Sequence, residues 1–503
     1  MRLLVLFVLS FVLSAPALAQ RRVDVSGTAE LRAALDDVRA GDEIVLASGR
    51  YDIVGNLRTR AAGEAERPIT VRSAEALGAE LRFDSDGGFV EGFFVTQDHW
   101  TFDGLRIEGI CSDDTRCAHA WHLVGARNTI IRNNEAFNFN AHIKANGNSD
   151  SPARFCNDTL VEANNFYNTA PRQTASPVTP IDVVGGRRFI IRANYIHDFE
   201  KAMGNTVSYA AFLKGNGRDG LIERNLVVCS DRFEGGARRG LSFGGGGTGD
   251  AFCEGMNCDV EHTNGIMRNN IVVSCSNVGI YINACDGCEV GHNTVFDTLG
   301  IDLQFEATVT EVYSNLYSGT LRDRNGSTSI RRNNVELSVA NFEGAFGDPS
   351  ALDFSLLDGS RFVDQGPIEA SVTDDYCGAE RDSEPDIGAV EYGEGCDTSR
   401  THAGTVVVPP DAGVDAGPAD AGAMDGGSSD AGPMDAGPSD GGAGPGDAAM
   451  RDTGRADAND PSMEDPPDLG DGSVSGDSGC RTDPGGEGSW LLLFSLLALR
   501  RRG

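Results

Sequence analysis

Apolar and polar residues alternate in short segments of one design along the middle of the chain. Each segment has apolar residues at alternate positions, then an asparagine, then a second short apolar run, as in TIIRNNEAF, FIIRANYIH and GIMRNNIVV. Aligned in this way, the segments share asparagines at positions 134, 164, 194, 225, 270, 293, 315 and 334. An apolar period of two is typical of β-strands, and recurrence at a fixed interval is typical of repeat proteins.

The closest of these asparagines are 23, 22 and 19 residues apart, which indicates a minimal coil of about that length with loops inserted elsewhere. Short strands bent at polar residues and repeated at this interval predict an all-β chain folded as a right-handed parallel β-helix. An asparagine at the same corner of each coil can hydrogen-bond to its copies above and below, forming a ladder. A two-layer β-sandwich would contain similar strands, but it would not predict the in-register asparagine.

Solenoids need caps at their ends, and the segment TAELRAALDDVRA predicts an N-terminal capping helix. Thr28 is the predicted N-cap, and Glu30 lies in the first turn, where a negative charge is favourable. Leu31 and Leu35 lie on an apolar stripe that would face the first coil.

The two ends of the chain predict export and attachment. Residues 1–19 have the pattern of a secretory signal peptide with cleavage after Ala19, and a membrane anchor is disfavoured because the apolar run is short. The β-helix is assigned to residues 20–396. Residues 397–479 are dominated by Asp, Ala, Gly and Pro and predict a disordered acidic linker.

Residues 480–503 combine Cys480, a short apolar run and an arginine cluster. This order resembles the myxobacterial C-terminal sorting signal and implies processing near Cys480 and attachment to the outer cell surface. The apolar run is about ten residues long, whereas a spanning helix needs roughly 20. The alternative is a disordered tail with an accidental apolar patch.

The formal net charge is −33, and most of it falls on residues 20–396. A nucleic-acid partner is therefore not expected, because phosphate binding needs a basic surface. Twelve cysteines in an exported chain indicate disulfides. Close pairs that could close loops are Cys111/Cys117, Cys253/Cys258 and Cys377/Cys396, whereas Cys285 and Cys288 could pair together or each find another partner.

Three runs near the N-terminus, GTAELRAALDDVRAGDEIVLASGRYDI, ERPITVRS and HWTFDGLRIEG, are similar to the start of secreted β-helix proteins that include the alginate lyase and chondroitinase B family. Near the end, PDIGAVEYG resembles the closing motif of many exported right-handed β-helix proteins. These motifs are specific to the architecture, and the resemblance implies activity on an extracellular polysaccharide.

In lyases of that family, the resemblance implies a lysine that removes the proton next to a uronate carboxylate and an arginine, often with Ca²⁺, that neutralises the carboxylate. Lys214, in FLKGNG, lies in the equivalent strand of a middle coil, and Arg238 and Arg239 lie in the next coil. The family's Arg-His-Gly tripeptide is missing, and this chain reads LSFGGGG at the comparable place. Alternatively, Lys214 is a solvated residue at a coil corner and both arginines are loop charges.

Other polar candidates lie one coil before Lys214. Because coils stack about 4.8 Å apart, residues of adjacent coils can form one site. Asp182 is predicted to bind a cation or a sugar hydroxyl, and His197 to transfer a proton; the alternative is a turn aspartate and a surface histidine. A zinc site around CAHAWH is disfavoured, because an oxidised cysteine pair would remove a ligand.

We expect a surface-anchored, monomeric, carbohydrate-active β-helix protein whose partner is an extracellular polysaccharide. A polysaccharide lyase is the first hypothesis, and a glycoside hydrolase, which needs two facing carboxylates, is the runner-up among enzymes. The alternative from another class is a non-catalytic glycan-binding or adhesion platform. It would be favoured by an exposed aromatic stripe, for which Phe137, Tyr167 and Tyr195 are candidates, although such residues more often pack in the core or stack.

Overall fold

The computed structural model describes residues 20–245, 247–357, 361–393 and 395–398. In these residues, strands from successive coils pair in parallel and form three long sheets. The fold is a parallel β-helix, as predicted. The predicted signal peptide with Ala19 and the sorting signal with Cys480 lie outside the described residues, as does all but the start of the predicted linker. No helix of the described part of the chain is long and apolar enough to cross a membrane.

The three sheets, named A, B and C, follow one another in each complete coil. The main strands of sheet A are Arg22–Val25, Glu43–Leu46, Ile69–Ser73, Trp100–Asp103, Ile130–Arg132, Leu160–Glu162, Ile190–Arg192, Leu221–Glu223, Ile266–Arg268, Cys285–Gly291, Val309–Tyr313 and Thr328–Arg332, with Gly217–Arg218 and His262–Thr263 alongside. The strands of sheet B are Gly49–Val54, Ala79–Asp84, Arg106–Gly109, Glu135–Phe137, Asn165–Tyr167, Tyr195–His197, Leu226–Val228, Ile271–Val273, Thr294–Phe296, Leu316–Tyr317 and Val335–Glu336. The strands of sheet C are His119–Val124, Ala141–Asn146, Ile181–Val184, Val207–Lys214, Ala237–Phe243, Ile280–Asn283, Gly300–Gln304 and Thr320–Arg324, preceded by the pair Leu57–Arg58 and Phe93–Val95.

The remaining elements of the described residues are two α-helices, three 3₁₀ turns and one antiparallel pair of strands. They are Thr28–Asp36 and Val339–Glu343, then Asp250–Phe252, Glu254–Met256 and Pro349–Ala351, then Phe346–Asp348 and Asp353–Leu356.

The corner between sheets A and B is built by the predicted asparagine ladder. Asn194, for example, donates both its main-chain N–H and its side-chain Nδ2 to Oδ1 of Asn225, each at 3.0 Å. The same pair of bonds recurs along the whole ladder from Asn134 to Asn334. The residue before each ladder position has a positive φ, such as 54° at Arg224, which turns the chain into sheet B.

The N-terminal helix caps the first coil, as predicted, but its cap differs in detail. The N-cap is Gly27, and Thr28 is already helical because its Oγ1 donates to the Asp52 carbonyl of the first coil at 3.0 Å. Glu30 instead accepts hydrogen bonds from the main-chain N–H and the hydroxyl of Ser26. Leu31 and Leu35 are buried against the solenoid.

Five disulfides are present among the described cysteines. The pairs Cys111–Cys117, Cys253–Cys258 and Cys377–Cys396 form as predicted, and Cys285 pairs with Cys288. The sequence reasoning did not single out Cys229–Cys275, which joins two adjacent coils where the chain leaves sheet B. Cys156 is reduced and buried.

The outer face of sheet B is covered over its C-terminal half by the chain after residue 337. There Val228, Val273 and Phe296 pack with residues of the covering segment such as Phe354 and Ile387 in a second hydrophobic cluster. Ile387 belongs to the PDIGAVEYG motif, which therefore closes the solenoid by packing on its side.

We predict that buried histidines make this fold sensitive to mild acid. His262 is stacked on Phe243, and its Nε2 accepts the Gly220 N–H; burial lowers the pKa of His262 to about 3. Burial also lowers the pKa of His142 to about 3. Because the unfolded chain binds these protons below about pH 6.5 and the folded chain does not, stability present above pH 6.5 is lost progressively as the pH falls towards 3.

Each of these two histidines should cost about 2 kcal/mol of unfolding free energy between pH 7.5 and pH 5. Denaturant unfolding at a series of pH values measures how the free energy of unfolding depends on pH. In His262→Gln the loss between pH 7.5 and pH 5 should be smaller by the contribution of that one histidine. An unchanged loss in that variant would contradict the assignment.

Candidate functional site

One row of side chains runs along the outer face of sheet C, with one residue from each coil. The strand register aligns His122, Lys144, Asp182, Phe212, Ser242, Tyr281, Asp302 and Arg322. At the N-terminal end, Phe94 lies against His122 with ring centres 5.4 Å apart, and Arg58 lies over Phe94. We call these ten residues the sheet C track. The repeat gives the track a step of about 4.8 Å. Arg58 is exposed, Phe94, Lys144 and Arg322 are half-buried, and the other six residues are buried.

Lys214 ends a sheet C strand beside this track. Its Nζ lies 4.4 Å from the centre of the Phe212 ring, and the residue is only 8% exposed. Gly245 of the following coil covers its stem, since a Cβ at that glycine would lie 3.2 Å from Cδ of Lys214. The structure therefore places Lys214 at a coil corner, as one interpretation expected, but covered rather than solvated.

The long loop between residues 244 and 261 is bonded to the corner that carries Lys214. The Glu254 N–H donates to the Gly215 carbonyl at 2.9 Å, and the Glu254 carboxylate accepts hydrogen bonds from Arg187 at 2.9 Å and from the Gly186 N–H at 3.1 Å. Glu261, at the far end of the loop, accepts the Gly215 N–H at 2.8 Å. The Cys253–Cys258 disulfide holds the loop together, so this loop forms a wall beside Lys214.

Asp182 lies on the same face, one coil before Lys214, as predicted from the coil spacing. Its Oδ1 is 2.8 Å from Nζ of Lys144, which occupies the next position along the track. Asp182 pairs in register with Phe212, and Val184 pairs with Lys214. Lys144 is therefore one coil before Asp182, and Lys214 is one coil after it, two residues along the strand from Phe212.

Lys144 was missed by the sequence reasoning, although a simple signal points to it. The chain contains three lysines, at positions 144, 201 and 214. All the rest of its Lys and Arg residues are arginines. An arginine stays protonated, whereas a lysine can lose its proton when its surroundings disfavour the charge. Two of the three lysines lie on one face of one sheet, two coils apart.

A histidine and a carboxylate extend this region towards the N-terminus. Nε2 of His122 is 2.7 Å from Oδ1 of Asn146, and Nδ1 is 3.1 Å from Oε2 of Glu91. Burial tends to raise the pKa of Glu91, but its contact with His122 outweighs this effect, so the pKa lies below its ordinary value. The track therefore has a buried, oriented histidine next to Lys144.

Arg239 lies in the coil after that of Lys214. It pairs in register with Tyr209, near the start of the strand that Lys214 ends. Its guanidinium carbon is 4.2 Å from the centre of the Tyr281 ring, and it donates to the Tyr209 hydroxyl. Tyr209 in turn contacts Phe212 edge-to-face at 5.4 Å. Arg239 thus joins the Lys214 region through aromatic side chains rather than through a direct contact.

Arg238 occupies a different environment from Arg239. It is 1% exposed, and its Nη1 donates to the main-chain carbonyls of Phe233 and Cys229 at 2.8 and 3.0 Å. The two arginines alternate across the strand, so only one of them can face outwards. The structure does not bring Arg238 to Lys214.

His197 also lies apart from Lys214, because it belongs to sheet B. Its Nδ1 is 2.7 Å from Oδ2 of Asp198, and its ring stacks between Tyr167 and Tyr195. Burial lowers the pKa of His197. Burial tends to raise the pKa of Asp198, but hydrogen bonds from His197 and Arg232 outweigh this and lower it to about 2.

Within the part of the chain that the structure describes, no group of three metal-ligating side chains converges beside Lys214. Asp182 is paired with Lys144, and Glu261 accepts the Gly215 N–H. Among the described residues, three or more metal-ligating side chains converge only at His197, Asp198 and Asp231, and there Asp198 already accepts four hydrogen bonds. Cys111 and Cys117 are joined in a disulfide, the oxidised pair for which a zinc site around CAHAWH was disfavoured.

The predicted aromatic stripe exists, but it is not a binding face. Phe137 and Tyr167 stack with ring centres 5.2 Å apart, and Tyr195 continues the stack through His197. Phe137 and Tyr195 are each 5% exposed. The stripe therefore joins coils together, and the feature that would have favoured an adhesion platform is absent at these positions.

Comparison with known proteins finds similar structures only. No family model matches the chain, and no curated protein matches it. An alginate lyase from Paenibacillus sp. str. FPU-7 is 16% identical over 63% of this chain and 96% of its own, with a TM-score of 0.37. Pectate lyase Pel9A is 14% identical over 75% of this chain and 98% of its own, with a TM-score of 0.41.

A third structure is described as a mannuronic acid specific polysaccharide family 6 lyase from human gut microbiota. It is 11% identical over 62% of this chain and 78% of its own, with a TM-score of 0.37. These likenesses concern the fold alone. A common fold hosts many functions, so the function has to be argued from the site.

Proposed function

We propose that this protein cleaves a uronate-containing polysaccharide by β-elimination on the outer face of sheet C. The observation that carries the proposal is the position of Lys214, an amine largely removed from water beside a track that also holds Lys144. A lysine acts as a general base when its surroundings disfavour the charged form. A repeating face of stacked coils suits an extended polymer.

In this reaction Nζ of Lys214 removes the proton from the carbon next to the uronate carboxylate. The released electron pair forms a carbon–carbon double bond, and the glycosidic oxygen leaves and takes a proton from water. The carboxylate must be neutralised before its neighbouring proton can be removed. Lys144, which lies two coils before Lys214 and is held in place by Asp182, supplies the positive charge that neutralises the carboxylate. No step is assigned to calcium.

The proposal includes the location of the protein. The signal-peptide pattern with cleavage after Ala19 and the sorting-signal pattern at Cys480 support secretion and attachment at the outer cell surface. There the acidic linker would hold the β-helix among extracellular glycans.

The test is an activity screen of the purified full chain against uronate-containing and neutral polysaccharides, with calcium and with a chelator. We expect ultraviolet absorbance from an unsaturated uronate product on at least one acidic polysaccharide, and no loss of it in chelator. New reducing ends without this absorbance would replace the proposal with a glycoside hydrolase. No chain shortening on any substrate would overturn it in favour of a glycan-binding platform, which a glycan array would then examine.

A further inference from the structure

The N-terminal end of the sheet C track opens into a cavity lined by arginines. The cavity has a volume of about 200 Å³ and lies between the capping helix and the first coils. Its polar lining includes Arg32, Arg58, Arg60, Asp36 and Asn56. The chain has a net charge of −33, whereas the lining of this cavity contains three arginines and one aspartate and is therefore net positive.

These arginines differ in their partners. Arg32 donates to the main-chain carbonyls of Val54 and Asn56, and Arg60 forms an ion pair with Asp36 at 3.1 Å. Arg58 is exposed, and its guanidinium carbon lies 4.6 Å from the centre of the Phe94 ring. No carboxylate of the described residues lies within 4.0 Å of its guanidinium nitrogens. Its donors are therefore available to an external anion.

Arg58 belongs to the same track as the proposed catalytic region. Phe94 contacts His122, and His122 pairs in register with Lys144. Five steps of the track separate Arg58 from Phe212, the residue beneath Nζ of Lys214. At about 4.8 Å for each step this is roughly 24 Å.

We propose that the Arg58 cavity is a distal subsite that binds a carboxylate of the same acidic polysaccharide. The protein would then engage a stretch of the polysaccharide roughly 24 Å long between the cavity and Lys214. A guanidinium recognises a carboxylate through paired, in-plane donors, even while its face packs on an aromatic ring. This inference rests on the proposed function for the chemical class of the ligand.

The test is calorimetric titration of uronate oligosaccharides of increasing length, from dimers to octamers, into the full chain. Arg58→Ala should weaken binding of the longest oligosaccharides about tenfold and leave binding of the shortest unchanged. Arg50→Ala is the matched control, because Arg50 lies in the same coil but on sheet B, where it pairs with Asp52 at 2.7 Å. It should leave every affinity unchanged.

The outcomes separate this inference from the proposed reaction. Equal weakening of short and long oligosaccharides by Arg58→Ala, or none at all, would overturn the subsite even if the unsaturated product forms. If Arg58→Ala weakens binding of long oligosaccharides more than of short ones, and no unsaturated product forms, the subsite is supported and the proposed reaction is contradicted. If no uronate oligosaccharide binds the wild type, both ideas fail.

Discussion

Lys214→Arg is expected to lower kcat for formation of the unsaturated product by about 10²- to 10⁴-fold, the usual contribution of a general base. An arginine keeps the positive charge and a similar stem, but it cannot lose its proton in a protein. The variant therefore separates a base from a charge that only binds substrate. The measurement is the initial rate of ultraviolet absorbance over a range of substrate concentrations.

Lys144→Arg is the matched control for this experiment. Lys144 lies on the same face, where it is paired with Asp182, and in our proposal it acts only through its charge. Its replacement by arginine should therefore change kcat by less than about tenfold. If Lys214→Arg keeps a comparable rate, Lys214 is not the base.

The rate of Lys214→Arg can be interpreted only if the variant folds, which denaturant unfolding would check. Lys214 is covered by Gly245, so a larger side chain can disturb the loop. Lys214→Met, which lacks both charge and base, should be as inactive as the arginine variant. A folded but active methionine variant would contradict the mechanism regardless of how the arginine variant folds.

Asn225→Ala is expected to lower the free energy of unfolding by about 3–5 kcal/mol, the range in which a buried hydrogen-bond network is broken. Oδ1 of Asn225 accepts two bonds from Asn194, and its Nδ2 donates to the Ile191 carbonyl and to Oδ1 of Asn270. The substitution removes these four bonds in a corner that water does not reach. The Asn194 N–H loses its acceptor, whereas Oδ1 of Asn270 keeps the main-chain N–H of residue 225.

Two further asparagines test whether the loss of stability in Asn225→Ala comes from the buried ladder bonds. Asn334 ends the ladder and is only partly buried, so Asn334→Ala should cost clearly less. Asn205 is an exposed turn residue whose Oδ1 accepts only the Val207 N–H, and Asn205→Ala should cost less than about 1 kcal/mol. Equal losses at positions 205 and 225, measured by denaturant unfolding, would show that the ladder bonds do not dominate.

The main features of the fold could be predicted because they depend on local patterns that repeat. The ladder asparagines, the alternating strands and the capping helix are each visible within one segment, and each recurs or stands at a chain end. The N-cap was misplaced because Thr28 bonds to the carbonyl of Asp52, a contact between distant residues. The Cys229–Cys275 disulfide was missed because its partners meet only after the coils stack.

The candidate site was predicted less well. Lys214 and Asp182 do lie on one face, as coil spacing suggested, and Arg239 faces the same side. Arg238 and His197 lie elsewhere, since neighbouring residues of a strand point to opposite sides and since His197 belongs to a different sheet.

By itself, the sequence determined that the chain is a repeating parallel β-helix with an asparagine at one corner, because strand periodicity and coil length are properties of consecutive residues. Only the tertiary structure decided which side chains share a face. Loop lengths between strands vary from coil to coil, so register cannot be counted along the chain. That register placed Lys144 beside Asp182 and Arg58 beside Phe94, and the contact of Phe94 with His122 brings Arg58 to the same track.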